Sequence, residues 1–346
     1  MISKTKVVVY GASGHTGQLV AGELVARGHE PLLAGRNHGA LERVANGLKG
    51  VSSIAVAEVG DAKALHAILE GAGVLINCAG PHGDTSFPLA LAAIDSGVHY
   101  LDTNAVEQVA AKRLFDDLSR AAVQAGIAIV PGMATFGGLG DLLASKVTRG
   151  LGPHATMTVA YIVDGWIPTR GSMMTASRAQ GAPRLTFEAS RFSEALEPAR
   201  IKAFDFGHPI GERDVVENYP GVDVAMIPQH VLAEAVAVHM TLSTLQEFRA
   251  IDPVIAASTD AEARKMTDFA VLVEARRGNS IKRMIARGKD IYGFTATMMG
   301  TAIDHLANGP ARAGVLSPAQ LFDADTFLES LARQGLVLQD PTSDSY

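Results

Sequence analysis

The sequence is poor in cysteine and aromatic residues and has no long apolar run. Cys78 is the one cysteine among 346 residues, and aromatic residues make up 5% of the chain. A single cysteine excludes an intramolecular disulfide and favours a reducing compartment. The apolar segments are shorter than the roughly 20 residues that span a membrane, and no signal peptide precedes the first of them. These absences predict a globular, cytoplasmic protein.

Excess positive charge and several catalytic motifs are also missing. The formal net charge is −6, which leaves no basic footprint for nucleic acid or for an anionic membrane. The histidines form no HxH or HxxxH pair, so no metal site is predicted. The chain lacks a GxSxG hydrolase elbow and lacks a YxxxK pair after its fourth predicted strand, which would indicate a short-chain dehydrogenase. The expected partner is therefore a small molecule.

The chain does contain a glycine-rich turn after its first apolar run. The strand-like segment Val7–Tyr10 leads into the spacing GxxGxxG, and a helix-like segment follows. In a dinucleotide-binding fold the first glycine permits the turn, the second lets the backbone approach the pyrophosphate, and the third lets helix and strand pack closely. Amides at the helix start bind the phosphates. The predicted contact residues are Gly11, Ser13, Gly14, His15, Thr16 and Gly17.

The end of the second predicted strand indicates which dinucleotide binds. Residues 31–34 form an apolar run, and Arg36 and Asn37 follow it after one glycine. An enzyme that uses NAD usually has Asp or Glu here to bind the ribose 2′-hydroxyl, whereas an arginine suits a 2′-phosphate. The sequence therefore predicts NADP(H) as the cofactor, with Arg36 and Asn37 among its contacts.

The first part of the chain alternates short apolar runs with amphipathic segments, as repeated strand–helix units do. Runs that are apolar on both faces are typical of a parallel sheet covered by helices. The predicted strands are 7–10, 31–34, 54–57, 74–77, 99–101 and 127–130, and the predicted helices are 16–27, 40–48, 62–69, 88–96 and 106–124. The sequence thus predicts an α/β fold in which residues 1–135 form a Rossmann-type domain with a parallel sheet.

After Pro131 the pattern changes to β-forming runs with few helices between them. Asp141 is expected to cap a helix that runs to about Arg149. Predicted strands follow at 156–163, 185–192, 235–241, 269–275 and 281–287, and the last two are joined by a hairpin turn at 277–280. Residues 150–290 are predicted to form an α+β domain with a mixed or antiparallel sheet, whose exposed face could support a homodimer. The C-terminal helices within 291–340 are expected to pack back on the first domain.

Seven short segments match sequence elements of a known family. They include Gly-Ala-Ser-Gly-His-Thr-Gly at 11–17 and Asn-Cys-Ala-Gly-Pro at 77–81, and the others are 34–37, 100–102, 131–132, 141–142 and 314–318. With them the chain resembles the saccharopine dehydrogenase-like (saccharopine reductase-like) NADP-binding proteins, a family that includes trans-acting enoyl reductases. The resemblance implies a Rossmann domain, NADP and a separate hydride-transfer domain. The family commonly has a Gly-Glu element after Tyr-Leu-Asp, whereas residues 103–107 read Thr-Asn-Ala-Val-Glu.

Hydride transfer needs an electron-poor C=N, C=O or C=C bond facing the nicotinamide, and a group that donates a proton. In a doubly wound sheet that space lies at the carboxyl ends of the strands. The residues that leave the fourth strand there are predicted to contact the cofactor, namely Asn77, Ala79, Gly80 and Pro81. The candidate catalytic residues are His82, Asp84, Tyr100 and Asp102. His82 and Asp84 could instead be a surface pair and Asp102 a loop anchor, and Cys78 is expected to be a small buried hydrophobe.

Further candidates lie beyond the first domain's last strand. Met133, Phe136 and Arg170 are predicted to contact the substrate, although Met133 and Phe136 could instead seal a domain junction and Arg170 could be solvated. Other titratable candidates are Tyr161, His208, His230 and Lys282. The leading hypothesis is an NADPH-dependent reductase of a C=N or C=C bond in a small or medium-sized substrate. An NADP-binding sensor without turnover, and a lyase or isomerase with tightly held NADP, remain open.

Overall fold

The computed structural model describes residues 6–49, 53–179, 181–252, 254, 256, 261–308 and 312–340. The N-terminal residues 1–5, where no signal peptide is predicted, lie outside these ranges. The chain forms two compact units. The first takes its residues from the ranges up to Asn104, Val109–Ala134 and Thr295–Phe322, and the second from Ala105–Gln108, Thr135–Phe294 and the chain from Asp323 onward. Among the described helices, none combines the length and apolar character needed to cross a membrane.

The first unit is built on a parallel seven-stranded sheet. Its strands are β1 Val7–Tyr10, β2 Leu32–Gly35, β3 Ser53–Val56, β4 Val74–Asn77, β5 His99–Asp102, β6 Ala128–Val130 and β15 Gly314–Val315. Their order across the sheet is β15-β6-β5-β4-β1-β2-β3. The strands are added in one direction from β1 to β3 and in the other direction from β4 onward, so the strand order reverses between β1 and β4. The central strands β1 and β4 are fully buried, as expected for strands with helices on both faces. This confirms the predicted α/β fold and its Rossmann-type sheet.

The helices between these strands are α1 His15–Ala26, α2 His38–Gly47, α3 Ala62–Leu69, α4 His82–Ser96 and α5 Gln108–Ala125. The predicted start of α4 at Pro88 is wrong, because the helix begins at His82 and contains Pro88. Proline has no amide hydrogen and is therefore common in the first turn of a helix, which is why the sequence predicts a start at Pro88. In the structure Pro88 lies further along the helix. The correction places His82, Thr85 and Ser86 on one helical turn directly after β4.

The second unit is built on a mixed sheet. Its path is β10-β11-β12-β7-β13-β14-β16, with β8 and β9 attached to β12, and β12 pairs with β7 in parallel while the other described pairs are antiparallel. The strands are β7 Ala155–Asp164, β8 Arg184–Glu188, β9 Arg191–Ala195, β10 Ile201–Asp205, β11 Glu212–Val216, β12 Ala233–Thr241, β13 Asp268–Arg277, β14 Ser280–Lys289 and β16 Val337–Gln339. A mixed sheet was expected from the sequence.

One predicted strand of this unit, 185–192, is in fact the hairpin β8–β9. The two residues of its turn, Ala189 and Ser190, both have positive φ, at 49° and 57°. A two-residue turn of this kind normally carries Asn-Gly or a similar pair, which makes it recognisable in a sequence. Alanine and serine give no such signal. The strands β10 and β11 were also missed, because their exposed faces leave only a few apolar residues to form a pattern.

The remaining helices are α6 Gly138–Val147, α7 Arg170–Ala179, α8 Asp223–Met226, α9 Leu242–Ala250, α10 Ala261–Arg264, α11 Ile291–Asn308, α12 Pro318–Leu321 and α13 Ala324–Ala332. Asp141 does not cap α6 as predicted. The helix starts after Gly137, whose φ of 91° suits glycine, and Asp141 lies fully buried in the first turn.

The C-terminal range is divided between the two units, whereas the sequence predicts that all of it packs on the first domain. Strand β15 pairs with β6 and so belongs to the first sheet. Helix α13 instead packs on α6 within the second unit, with its apolar side buried, and β16 pairs with β14. Asp325 of α13 forms ion pairs with Lys146 and Arg149. Charge and apolar burial therefore hold α13 on the second unit.

Candidate active site

The glycine-rich turn between β1 and α1 is tightly packed against the rest of the first unit. Gly11 has a φ of +80°, and a Cβ at this position would lie 2.7 Å from the amide nitrogen of Ala79. A Cβ at Gly17 would overlap the Gly11 carbonyl and lie 2.8 Å from the Cα of Ala12. Both positions therefore require glycine, one for its conformation and both for space. The turn is anchored by the Gly11 amide, which donates to the Ala34 carbonyl at 2.9 Å.

The outer side of the same turn is open. Gly14 is exposed, Ser13, His15 and Thr16 are half-buried, and α1 begins directly after Gly14. The backbone there lies at the positive end of the helix dipole, where the first-turn amides have no intrahelical acceptor. This is the arrangement that binds a pyrophosphate, so the residues fit the predicted dinucleotide.

Arg36 and Asn37 follow β2 and are both exposed. The Asn37 side chain has a role that the sequence prediction did not assign, because its Oδ1 accepts a hydrogen bond from the Ala40 amide at 2.9 Å and caps α2. The cap fixes the path of the chain directly after Arg36. The Arg36 guanidinium remains exposed at the end of β2, where a 2′-phosphate is expected.

Asn77 and Thr85 hold the segment that leaves β4. Asn77 Oδ1 accepts from the Ala79 amide at 2.9 Å, and its Nδ2 donates to Thr85 Oγ1 at 3.1 Å. Thr85 Oγ1 in turn donates to the Ala79 carbonyl at 2.6 Å. Residues 79–81 are thereby fixed beside Gly11. Burial and the nearby Asp102 carboxylate raise the pKa of the Cys78 thiol to about 12, so it is a poor nucleophile near neutral pH.

Asp102, at the end of β5, is the centre of a buried hydrogen-bond network. Its Oδ2 accepts from the Tyr100 hydroxyl at 2.9 Å and from Ser86 Oγ at 3.0 Å. Its Oδ1 accepts from the amides of Asn104 and Gly132, at 3.0 and 2.8 Å. The side chain is completely buried. Four donors can stabilise a buried carboxylate that would otherwise be very unfavourable.

The network continues from Asp102 to His82 through Ser86. The His82 Nδ1 lies 3.2 Å from Ser86 Oγ, and His82 is 7% exposed. On the other side, the Tyr100 hydroxyl accepts from Asn77 Nδ2 at 3.1 Å. Burial and the Asp102 carboxylate raise the pKa of Tyr100 well above 10, so its hydroxyl stays protonated. The structure thus joins three candidate catalytic residues, His82, Tyr100 and Asp102, within one unit.

The sequence prediction missed Ser86, which links His82 to Asp102. The spacing of four residues between His82 and Ser86 would have shown that they face each other on a helix, but the helix was predicted to start later. Asp84 is exposed in the first turn of α4. Met133 is fully buried, and its amide donates to the Asp102 carbonyl at 2.8 Å.

Two predicted substrate residues lie in the second unit. Phe136 packs edge-on against Tyr161 and Trp166, with ring centroids 4.9 and 5.7 Å apart. Arg170 is exposed at the start of α7, a helix without buried side chains. The Tyr292 hydroxyl accepts from Trp166 Nε1 at 3.1 Å. An aromatic cluster therefore surrounds Phe136 on its own unit.

The other titratable candidates have separate surroundings. Tyr161 donates to Asp223 Oδ1 at 2.7 Å, and His230 Nε2 lies 2.6 Å from Asp141 Oδ1. Lys282 donates to the Arg149 carbonyl at 2.5 Å, just after α6 ends, and His208 is exposed. Among the described residues, no group of three or more His, Cys, Asp or Glu side chains is arranged to hold a metal ion.

Comparison with solved structures shows a shared fold along the whole chain. An apo saccharopine dehydrogenase (L-Glu forming) from Saccharomyces cerevisiae is similar with a TM-score of 0.63 and 14% identity, over 97% of this chain and 99% of that one. A short-chain type dehydrogenase/reductase from Mycobacterium marinum is 19% identical over 38% of this chain and 74% of its own, with a TM-score of 0.33. No curated protein matches the sequence.

The first unit matches a known domain family. Residues 7–130 match the family described as the saccharopine dehydrogenase NADP binding domain. These residues include β1 to β6, the glycine-rich turn, Arg36 and the Asp102 network apart from the Gly132 amide. Over residues 7–130, the chain is therefore similar to the NADP binding domain of saccharopine dehydrogenase.

Proposed function

We propose that the protein is an NADPH-dependent reductase that delivers hydride to a C=N or C=C bond of a small or medium-sized substrate. The proposal rests on one observation above all, the buried network that links Asp102 through Ser86 to His82 at the carboxyl ends of β4 and β5. This is the edge of a doubly wound sheet at which ligands bind. The choice of C=N or C=C over C=O comes from the family resemblance.

Different residues of the first unit are proposed to bind different parts of the cofactor. NADPH, when bound, supplies the hydride. The turn at 11–17 offers backbone amides to the pyrophosphate, and the exposed Arg36 guanidinium suits the 2′-phosphate. Asn77 and Thr85 fix the backbone of residues 79–81, which we propose as contacts on the nicotinamide side. Preformed contacts of this kind lower the entropy that binding costs.

His82 is the proposed proton donor. Tyr100 is less suited, because its hydroxyl already donates to Asp102 and its pKa is raised well above 10. His82 is 7% exposed, and imidazole is the side chain that serves most often as a general acid or base. Ser86 can accept from His82 Nδ1–H while donating to Asp102, which would orient the ring, and the doubly protonated imidazole would give its second proton, on Nε2, to the substrate. Asp102 acts in this scheme as a positioning residue.

The test is oxidation of NADPH, followed at 340 nm, against a panel of ketimines, enoyl compounds and 2-oxo acids. Turnover with one of the first two classes is the expected result. Turnover with 2-oxo acids alone would contradict the proposed bond type, although the reductase assignment would stand. The same preparation is titrated with NADPH and NADH by nicotinamide fluorescence, and tighter binding of NADPH is expected.

A sensor that binds NADP without turnover is the second candidate. One observation favours it: both oxygens of Asp102 are fully engaged by protein donors, which is also what a purely structural anchor would show. Binding of NADPH with no turnover on any compound of the panel would support this role. Substrate conversion without net loss of NADPH would instead indicate a lyase or isomerase.

A further inference from the structure

A second buried network lies in the second unit and includes none of the residues assigned to the cofactor. It begins at the start of α6, where the Gly137 amide donates to the Tyr161 hydroxyl at 3.0 Å. Tyr161 in turn donates to Asp223 Oδ1 at 2.7 Å. Phe136, next to Gly137, packs edge-on against the Tyr161 ring. The backbone turn that carries Phe136 is therefore tied to the carboxyl group of Asp223 through one tyrosine.

Asp223 is enclosed on both of its oxygens. A Cβ at Gly140 would overlap Oδ1, and a Cβ at Gly221 would lie 2.8 Å from Oδ2. The residue is completely buried, and within the described part of the chain Oδ2 has no hydrogen-bond partner. An ionised carboxylate is unfavourable in such a place. Burial, together with the Asp141 carboxylate, raises the pKa of Asp223 to about 7.

The titratable groups that face Tyr161 and Asp223 come from several elements. Asp141 lies on α6, His230 follows α8, and Tyr219 lies in the loop before α8. His230 lies 2.6 Å from Asp141. Burial lowers the pKa of His230, but the Asp141 carboxylate outweighs this and raises it overall. His230 is therefore paired with Asp141, and among the described residues no ion pair is formed by Asp223.

Protonation of Asp223 would disturb the chain of donors. If the proton is on Oδ2, a buried O–H group has no acceptor, which is unfavourable. If it is on Oδ1, the carboxyl group must donate to the Tyr161 oxygen. Tyr161 must then turn its own hydrogen toward the Gly137 amide, and that hydrogen bond is lost. A proton on Oδ1 therefore breaks the chain of donors, and a proton on Oδ2 weakens it, because a neutral carboxyl oxygen is a poorer acceptor for the Tyr161 hydroxyl than a carboxylate oxygen.

We propose that Tyr161 and Asp223 are positioning residues for the turn at Phe136 and Gly137, and that a proton on Asp223 releases this turn. Because Phe136 is a predicted substrate contact, release of the turn would also change how the substrate binds. That consequence rests on the proposed function. The release itself does not depend on turnover. It can be observed directly, since Trp166 packs against Phe136 and is the only tryptophan of the chain.

The test is intrinsic tryptophan fluorescence of the full-length protein between pH 5 and 9, without substrate. We expect a single step centred near pH 7. In Asp223→Asn, which keeps the shape and cannot titrate, the step should disappear. Tyr161→Phe should also abolish it, because the ring remains while the link to Gly137 is lost. Circular dichroism at pH 8 confirms that each variant is folded, and the two variants give independent tests should one of them fail to fold.

His230→Gln is the control that separates the two titrating groups. Removing the imidazole removes a group that can carry positive charge near Asp223, so the step should persist and move to higher pH. A step that survives in Asp223→Asn and vanishes in His230→Gln would overturn the proposal, as would a wild-type protein without a step. Because the readout needs no substrate, these outcomes are independent of whether the protein reduces any compound.

Discussion

At the scale of single residues, Arg36 and His82 carry the parts of the proposal that substitution can test separately. Arg36 is exposed at the end of β2 and His82 is almost buried at the start of α4. The first is proposed to act in cofactor affinity and the second in turnover. A change at one should therefore leave the other property intact.

Replacing Arg36 with aspartate should weaken NADPH binding by about 1.5–3 kcal/mol, the value of a charge-assisted hydrogen bond to a phosphate. NADH binding should change much less, because NADH has no 2′-phosphate. Fluorescence titration with both nucleotides measures this. Arg120→Asp, the same change at an exposed position of α5, is the control and should leave both affinities unaltered. Unchanged NADPH affinity in Arg36→Asp would remove Arg36 from the site.

Replacing His82 with glutamine should lower kcat by roughly 10²-fold or more, as loss of a general acid does, while the Kd for NADPH stays the same. His66→Gln is a matched control, because His66 Nδ1 also lies beside a serine hydroxyl, that of Ser96 at 3.0 Å, in an exposed contact between α3 and α4. It should retain full activity. Equal losses in both variants would show that the effect of His82 is not specific to its network.

At the scale of elements, α1 offers a comparison between two glycines of one helix. Gly17→Ala should impair folding or NADPH binding severely, because its Cβ would overlap the Gly11 carbonyl. Gly22→Ala should be neutral or stabilise the protein by about 0.5–1 kcal/mol, since the new Cβ would be 3.7 Å from Leu48 Cδ2 and alanine favours helices. Chemical denaturation and NADPH titration of both variants check this. Similar stability of the two would show that the turn is not tightly packed.

The sequence predicted the elements of the first unit better than those of the second, for a physical reason. Strands such as β1 and β4 are buried on both faces, so their residues are uniformly apolar and stand out. Strand β10 is mostly exposed, and its apolar residues form neither a continuous run nor a regular alternation. Of the Asp102 network, the sequence indicated the strand-end residues, because strand ends are recognisable. It did not indicate Ser86 or the Gly132 amide, because these contacts depend on where α4 starts and how the chain passes β5.

At the scale of the whole molecule, two buried groups give the folding free energy opposite dependences on pH. His239 is 1% exposed, and burial lowers its pKa to about 4. Its folded form prefers to be neutral, so this contribution is present above about pH 6.5 and is lost as pH falls toward 4. The pKa of Asp223 is raised to about 7. Folded Asp223 prefers to be neutral, so its contribution to the free energy of unfolding is present below about pH 4 and is lost as pH rises through 7.

Between pH 7 and 5 each of these contributions changes by about 2 kcal/mol, in opposite directions. In the wild-type protein they largely cancel. Relative to wild type, His239→Leu should therefore gain about 2 kcal/mol of unfolding free energy on acidification from pH 7 to 5, and Asp223→Asn should lose about the same. Denaturant unfolding at both pH values measures the difference. Parallel pH dependence in all three proteins would contradict the assigned pKa shifts.

The position of β15 in the first sheet has a consequence for biosynthesis. Its residues, Gly314–Val315, pair with β6 at Ala128 and Ile129, so most of the second unit separates these partners along the chain. A ribosome must therefore translate nearly the whole protein before the edge of the first sheet is covered. Until then β6 presents unpaired backbone groups, which are prone to self-association. We therefore expect the nascent N-terminal domain to be prone to aggregation, and a version truncated near residue 135 should be recovered largely as aggregate.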